Sequence, residues 1–80
     1  MKDALEFLVA SIVDNPKDVI IEESEEEGIL QFRITVAKDD MGKVIGKEGK
    51  VIRGIRNVMK IKAMKQNARI NISLSENPQE

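Results

Sequence analysis

The stretch Gly46-Lys47-Glu48-Gly49 sets two glycines three residues apart among Lys43, Lys47 and Lys50, with Arg53 and Arg56 following. Glycine lets bare backbone approach a ligand with no Cβ in the way, and lysine and arginine supply fixed positive charge. A helix beginning after the loop would add unpaired N–H groups and the positive end of its dipole, which favour an anion. The chemistry these residues suit is the grip of a phosphate chain. Residues 43–69 carry nine basic side chains and one acid, Glu48. A carboxylate inside such a grip would repel phosphate, so Glu48 is expected to face solvent. The plainer alternative is a tight helix-helix turn whose lysines are simply solvated. Gly-x-x-Gly on its own arises readily by chance, so the surrounding elements must decide.

Two other phosphate-binding motifs do not fit. A Walker loop ending at Gly46-Lys47 needs glycine at 41 and a hydroxyl at 48, where the chain has Met41 and Glu48. A dinucleotide fingerprint needs glycine at 44, where it has Val44.

Catalysis finds little to work with. The chain contains no histidine and no cysteine, which removes the commonest general base, the commonest metal ligand and the thiol nucleophile. The adjacent acids Asp39 and Asp40 could in principle hold a metal, but before a helix they read first as a cap and a partner for its dipole. The expectation is a protein that is not an enzyme and has neither cofactor nor metal.

The formal net charge of −1 conceals a division. Residues 1–40 carry 4 Lys/Arg against 11 Asp/Glu, and residues 41–80 carry 9 against 3. Such asymmetry points to a directed electrostatic surface, with its positive side around the glycine loop. The 80 residues suit one domain, with its core over 3–75 and a flexible tail over 76–80, where Pro78 and acids suggest fraying. No apolar run near Met1 is long enough for a signal peptide or a membrane span, which makes the cytoplasm the default location.

The elements that must position the loop can be read from periodicity. Ala4, Leu5, Leu8, Val9, Ile12 and Val13 recur at three- and four-residue spacing, predicting a helix over 3–14 with Asp3 at its N-cap. Asn15-Pro16 ends it. Val19–Glu23 is a short β-branched run, Ser24–Gly28 an acidic turn, and Ile29–Val36 an alternating strand, together a hairpin. A short helix over about 40–45 leads to the glycine loop and a longer one over about 50–65 leaves it. Gln66-Asn67 stops that helix, and Arg69–Leu74 alternates as a last strand. The order is α-β-β-α-α-β. Its simplest packing is α+β, a two-layer sandwich in which a three-stranded mixed sheet is covered on one face by helices. Strand order is not readable from the pattern.

Met41-Gly42-Lys43-Val44-Ile45-Gly46-Lys47-Glu48-Gly49-Lys50, followed by Val51-Ile52-Arg53-Gly54-Ile55-Arg56, resembles the signature of a K-homology (KH) domain. With the α-β-β-α-α-β order the match is to the type II form. A free-standing KH domain of this length is similar to the KhpA family of small bacterial RNA-binding proteins. The resemblance implies that Gly46, Lys47, Glu48 and Gly49 clamp the backbone of about four single-stranded nucleotides. It makes Lys43, Lys50, Arg53 and Arg56 candidate phosphate or base contacts. Bases would then lie along an aliphatic groove to which Val44, Ile45, Val51 and residues near Ile34 contribute, although Ile34, Ile45, Ile52 and Ile55 suit the core better. With Phe7 and Phe32 the only aromatics, recognition by stacked rings is not expected.

A second surface lies on the long helix. Ile52, Ile55, Met59 and Ala63 share the side that should cover the sheet, while Ile61 and Met64 lie across from it near Gly54 and Asn57. Such a pair is either an ordinary scattering of exposed apolar residues or a helix-against-helix dimer contact. Resemblance to the KhpA family implies pairing with a second copy and with KhpB, a larger KH-containing partner. It also implies an RNA chaperone that influences gene expression, cell length and cell-wall synthesis. The competing reading is a protein-interaction subunit whose contact with RNA is incidental.

Overall fold

The computed structural model describes residues 1–76. Three helices cover one face of a three-stranded sheet, in the expected α+β two-layer arrangement. Helix α1 spans Lys2–Ala10 and buries Leu5 and Val9. It stops four residues short of the predicted end because Ser11 turns back on it. Both the Ser11 N–H and Oγ donate to the Phe7 carbonyl, at 3.1 and 2.7 Å. The Ile12 N–H then closes a tighter bond to Val9, and Val13 reaches the core from the loop. Met1, not Asp3, stands at the cap position, and Asp3 lies inside the first turn, beside the positive end of the dipole. Pro16–Asp18 forms one turn of 3₁₀ helix that the sequence pattern did not reveal.

Strands β1 (Ile20–Glu26) and β2 (Ile29–Val36) form an antiparallel hairpin around a two-residue turn, Glu27-Gly28. Both turn residues have positive φ, which suits the twist of a hairpin. The turn is therefore tighter and β1 longer than expected, because ladder pairing carries Ser24, Glu25 and Glu26 into the strand. β2 pairs in parallel with β3 (Arg69–Glu76), giving the order β1-β2-β3. β3 continues through Glu76, where a tail was expected; residues 77–80 lie outside the described residues.

Alternation sorts the two faces of the sheet. Ile21 pairs with Ile34 and Phe32 with Ile72, all buried beneath the helices. On the open face the same register brings Glu22 to Arg33, 2.9 Å apart, and Asn71 to Gln31, at 3.1 Å. Phe32 is the largest fully buried side chain. Truncating it to alanine would cost about 3–5 kcal/mol, comparable with the about 5–15 kcal/mol that holds most small domains together.

A parallel pair requires a crossover, and that crossover holds the glycine loop. After a 3₁₀ turn at Lys38–Asp40 come helix α2 (Met41–Ile45), a tight turn at Lys47–Gly49, and helix α3 (Lys50–Lys65). Ile52, Ile55, Met59 and Ala63 form the buried stripe of α3, as periodicity predicts. No helix among the described residues is long and apolar enough to cross a membrane.

Candidate nucleic-acid interface

The glycines of the loop are dictated by geometry. Gly46 ends α2 with φ 76° and ψ 176°, outside the regions open to other residues, and its N–H donates to Gly42 at 2.8 Å. A Cβ there would run into the Val51 side chain and stand 2.8 Å from the Val51 backbone nitrogen. Glu48 and Gly49 follow in left-handed conformation, at φ 56° and 75°. The Gly49 N–H donates back to Gly46 at 3.2 Å, and α3 begins at the next residue. Arg53, one turn into α3, donates from Nη2 to the Glu48 carbonyl at 2.7 Å. The loop is a tight two-glycine corner held from its far side by a guanidinium. The Glu48 side chain is exposed, in line with the expectation that it faces solvent.

The surrounding cations divide into two sets. Lys47, Lys50 and Arg56 are exposed and form no ion pair among the described residues. Lys43 Nζ lies 2.6 Å from Asp14 Oδ2, and that hydrogen bond and charge hold its ammonium above the ordinary lysine value. Arg53 spends one of its five N–H donors on the loop and keeps the others.

A groove of about 610 Å³ runs from Arg53 along the channel between α3 and β3. Arg53, Arg56 and Lys60 of α3 and Arg69 of β3 supply four cations, Asn57 and Asn71 amide groups, and Ile70, Ile72 and Ala63 an apolar floor. No acid among the described residues lines it. Sequence reasoning did not single out Lys60, Arg69, Ile70 or Asn71. Arg69 and Asn71 read only as the polar positions of an alternating strand, and nothing in the pattern says that this strand forms the sheet edge next to α3.

The residues expected along an aliphatic groove take different positions. Val44 and Ile34 are fully buried and support the loop from beneath. Ile45 is partly exposed but does not line the groove, and half-buried Val51 is the wall against which Gly46 packs.

Asp40 is also placed differently. It stands at the N-cap position of α2 but makes no capping hydrogen bond. Its side chain, 1% exposed, turns instead to the connector between α1 and β1. Oδ1 accepts from the Asp14 N–H at 3.1 Å, and Oδ2 from the Asn15 N–H and Nδ2, both at 3.0 Å. Burial pushes this carboxyl up, but those bonds and the charge of Lys43 outweigh it and hold the group below 3.8. No group of three or more potential ligands for a metal occurs among the described residues.

The outward face of α3 carries Ile61 and Met64, 57% and 67% exposed, with half-exposed Val58 beside them. Val58 was not anticipated. Gly54 opens onto empty space on the same face, whereas Asn57 and Met64 form the rim shared with the groove.

Residues 2–74 match the KH domain of KhpA/KhpB. The chain is 37% identical to the RNA-binding protein KhpA of Chlamydia caviae over 95% of this chain and 97% of that one. It is 40% identical to the KhpA proteins of Oceanobacillus iheyensis and Clostridium acetobutylicum, over 92% of this chain and 99% of each. Among solved structures it is similar to Era in complex with MgGDPNP and nucleotides 1506–1542 of 16S ribosomal RNA, with a TM-score of 0.69 and 11% identity. That match covers 94% of this chain and 29% of the other, and it concerns the fold alone. The glycine corner, the mixed sheet and these relatives place the chain in the KhpA/KhpB family of KH domains.

Proposed function

We propose that the chain is a non-enzymatic RNA-binding protein that grips single-stranded RNA through Gly46, Lys47, Glu48 and Gly49. The observation that carries this reading is the continuity of the loop with a groove that no acid among the described residues lines. Arg53 belongs to both, and Arg56, Lys60 and Arg69 extend the line of charge. Phosphates would track the loop and its lysines while bases lie over the Ile70–Ile72 floor, which suits weak, permissive and salt-dependent binding. Curated relatives named as RNA-binding proteins support the same assignment.

One weak site gains from being doubled. The exposed face of α3 at Gly54, Asn57, Val58, Ile61 and Met64 suits a homodimer, or the KH domain of a KhpB-type partner, and two linked sites would bind RNA with higher avidity. In this reading the protein works in the cytoplasm as an RNA chaperone that influences gene expression, cell length and cell-wall synthesis. The test is a titration of a labelled single-stranded oligoribonucleotide at several salt concentrations. Wild type is compared with the double change Lys47→Asp and Glu48→Asp, at two exposed positions. Binding should be lost in the variant. Unchanged binding would favour a protein-interaction subunit that touches RNA incidentally.

A further inference from the structure

Helix α2 is too short to hold itself in place. Five residues make little more than one turn, below the length at which a helix is stable alone. Its anchors in the core are Val44 and half-buried Met41. Yet it sets the position of Gly46, whose N–H bonds back to Gly42. On the surface Lys43 ties it to Asp14, 2.6 Å away, and the buried restraint comes from Asp40. An aspartate at this position would ordinarily cap the amides of its own helix. Here it leaves them and accepts three hydrogen bonds from Asp14 and Asn15, which are distant in sequence. It is the one buried charged side chain among the described residues. Burying a carboxylate is costly unless it is fully bonded, so this geometry tolerates few alternatives.

We propose that Asp40 is a positioning residue for the glycine loop: by docking the α1–β1 connector onto the start of α2 it fixes how Gly46 to Gly49 present their backbone. The inference rests on the RNA-binding reading for its functional consequence, but its structural part is independent of it. Asn15 acts with Asp40 through its own N–H and side-chain amide. An asparagine at position 40 would keep one acceptor and turn an NH2 group toward either the Asp14 N–H or the two Asn15 donors, so it does not substitute.

The test compares Asp40→Ala, Asp40→Asn and Asn15→Ala with Val9→Ala, a core truncation in α1. All are measured well below their melting temperatures, so that each protein is folded. Amide hydrogen exchange at Gly46 and Gly49 should quicken selectively in the Asp40 variants relative to β2 amides, and to a smaller degree in Asn15→Ala. RNA binding of the Asp40 variants should weaken about tenfold, the scale of one lost charged hydrogen bond. Val9→Ala should lose stability with neither effect. Exchange that rises evenly over the whole chain in the Asp40 variants overturns the proposal, as does wild-type RNA affinity in those variants. Should wild type bind no RNA, the function proposed above fails, and the exchange pattern still decides the role of Asp40.

Discussion

Arg53 Nη2 and the carbonyl oxygen of Glu48 lie 2.7 Å apart, so the side chain that enters the groove also fastens the corner of the loop. One guanidinium can do both because its donors are several and fixed in a plane, which an ammonium cannot reproduce.

Arg53→Lys and Arg53→Ala should therefore separate charge from geometry. Arg53→Lys keeps the positive charge and should retain the salt dependence of RNA binding while weakening affinity at every salt concentration. Arg53→Ala should in addition lower the slope of log K against log salt by about 0.7, the share of one phosphate contact on a single strand. Both lose a solvent-exposed bond, worth about 0.5–1 kcal/mol of stability. Equal slopes for Arg53→Ala and wild type would remove Arg53 from the phosphate contacts.

The two loop glycines should respond unequally to alanine. At Gly46 the new Cβ meets both the Val51 side chain and backbone in a conformation reserved for glycine, so about 3 kcal/mol or more should be lost. At Gly49 the added carbon would lie 3.8 Å from the nearest atom, Arg53 Nη2, leaving only the left-handed cost of about 1–2 kcal/mol. Glu48 already bears that cost, and Glu48→Gly should raise stability slightly, because relief of strain exceeds the about 0.4–1 kcal/mol of added freedom in the unfolded chain. Urea denaturation of the three variants gives the order directly.

How far the sequence discloses this molecule depends on the range of the interactions involved. The apolar stripe of α3, the alternation in β2 and the glycine pair are local patterns, and all three stand where periodicity put them. The groove was not legible in the same way. It exists because β3 pairs in parallel with β2 and thereby lies beside α3, a long-range choice that alternation of Ile70, Ile72 and Leu74 does not encode. Asp40 shows the same limit more sharply. Its neighbours in sequence suggest a cap, whereas its partners, Asp14 and Asn15, are 26 and 25 residues away. Val44 and Ile45 are adjacent and equally apolar, and only packing decides that the first is buried and the second partly exposed.

Acid should loosen the same junction. Asp40 titrates lower in the folded chain than its ordinary value of 3.8, so its contribution to stability is present above that value and is lost as pH falls through the folded one. Lys43 titrates higher than 10.5, so the pairing with Asp14 contributes below that value and is lost as pH rises through the folded one. Melting temperatures of wild type and Asp40→Asn, followed from neutral pH into acid, should differ most near neutrality. They should converge at low pH, where the wild-type carboxyl is protonated. A constant difference down to the lowest pH would show that this carboxylate does not contribute through its charge.

The last prediction concerns the exposed face of α3, where two substitutions should weaken pairing by different means. Gly54 lies inside a helix with open space where its Cβ would be, so Gly54→Ala should stabilise an isolated chain by about 1 kcal/mol. If helices of two copies cross there, the same methyl group keeps their backbones apart and dissociation should become easier. Ile61→Glu leaves the fold intact, since Ile61 is turned away from the core, but places like charges together across a twofold axis. Sedimentation equilibrium should then find a dimer for wild type, a weaker one for Gly54→Ala and a monomer for Ile61→Glu, whose RNA affinity falls as the second site is lost. A wild-type protein that remains monomeric at every concentration would leave Ile61 and Met64 as ordinary exposed side chains.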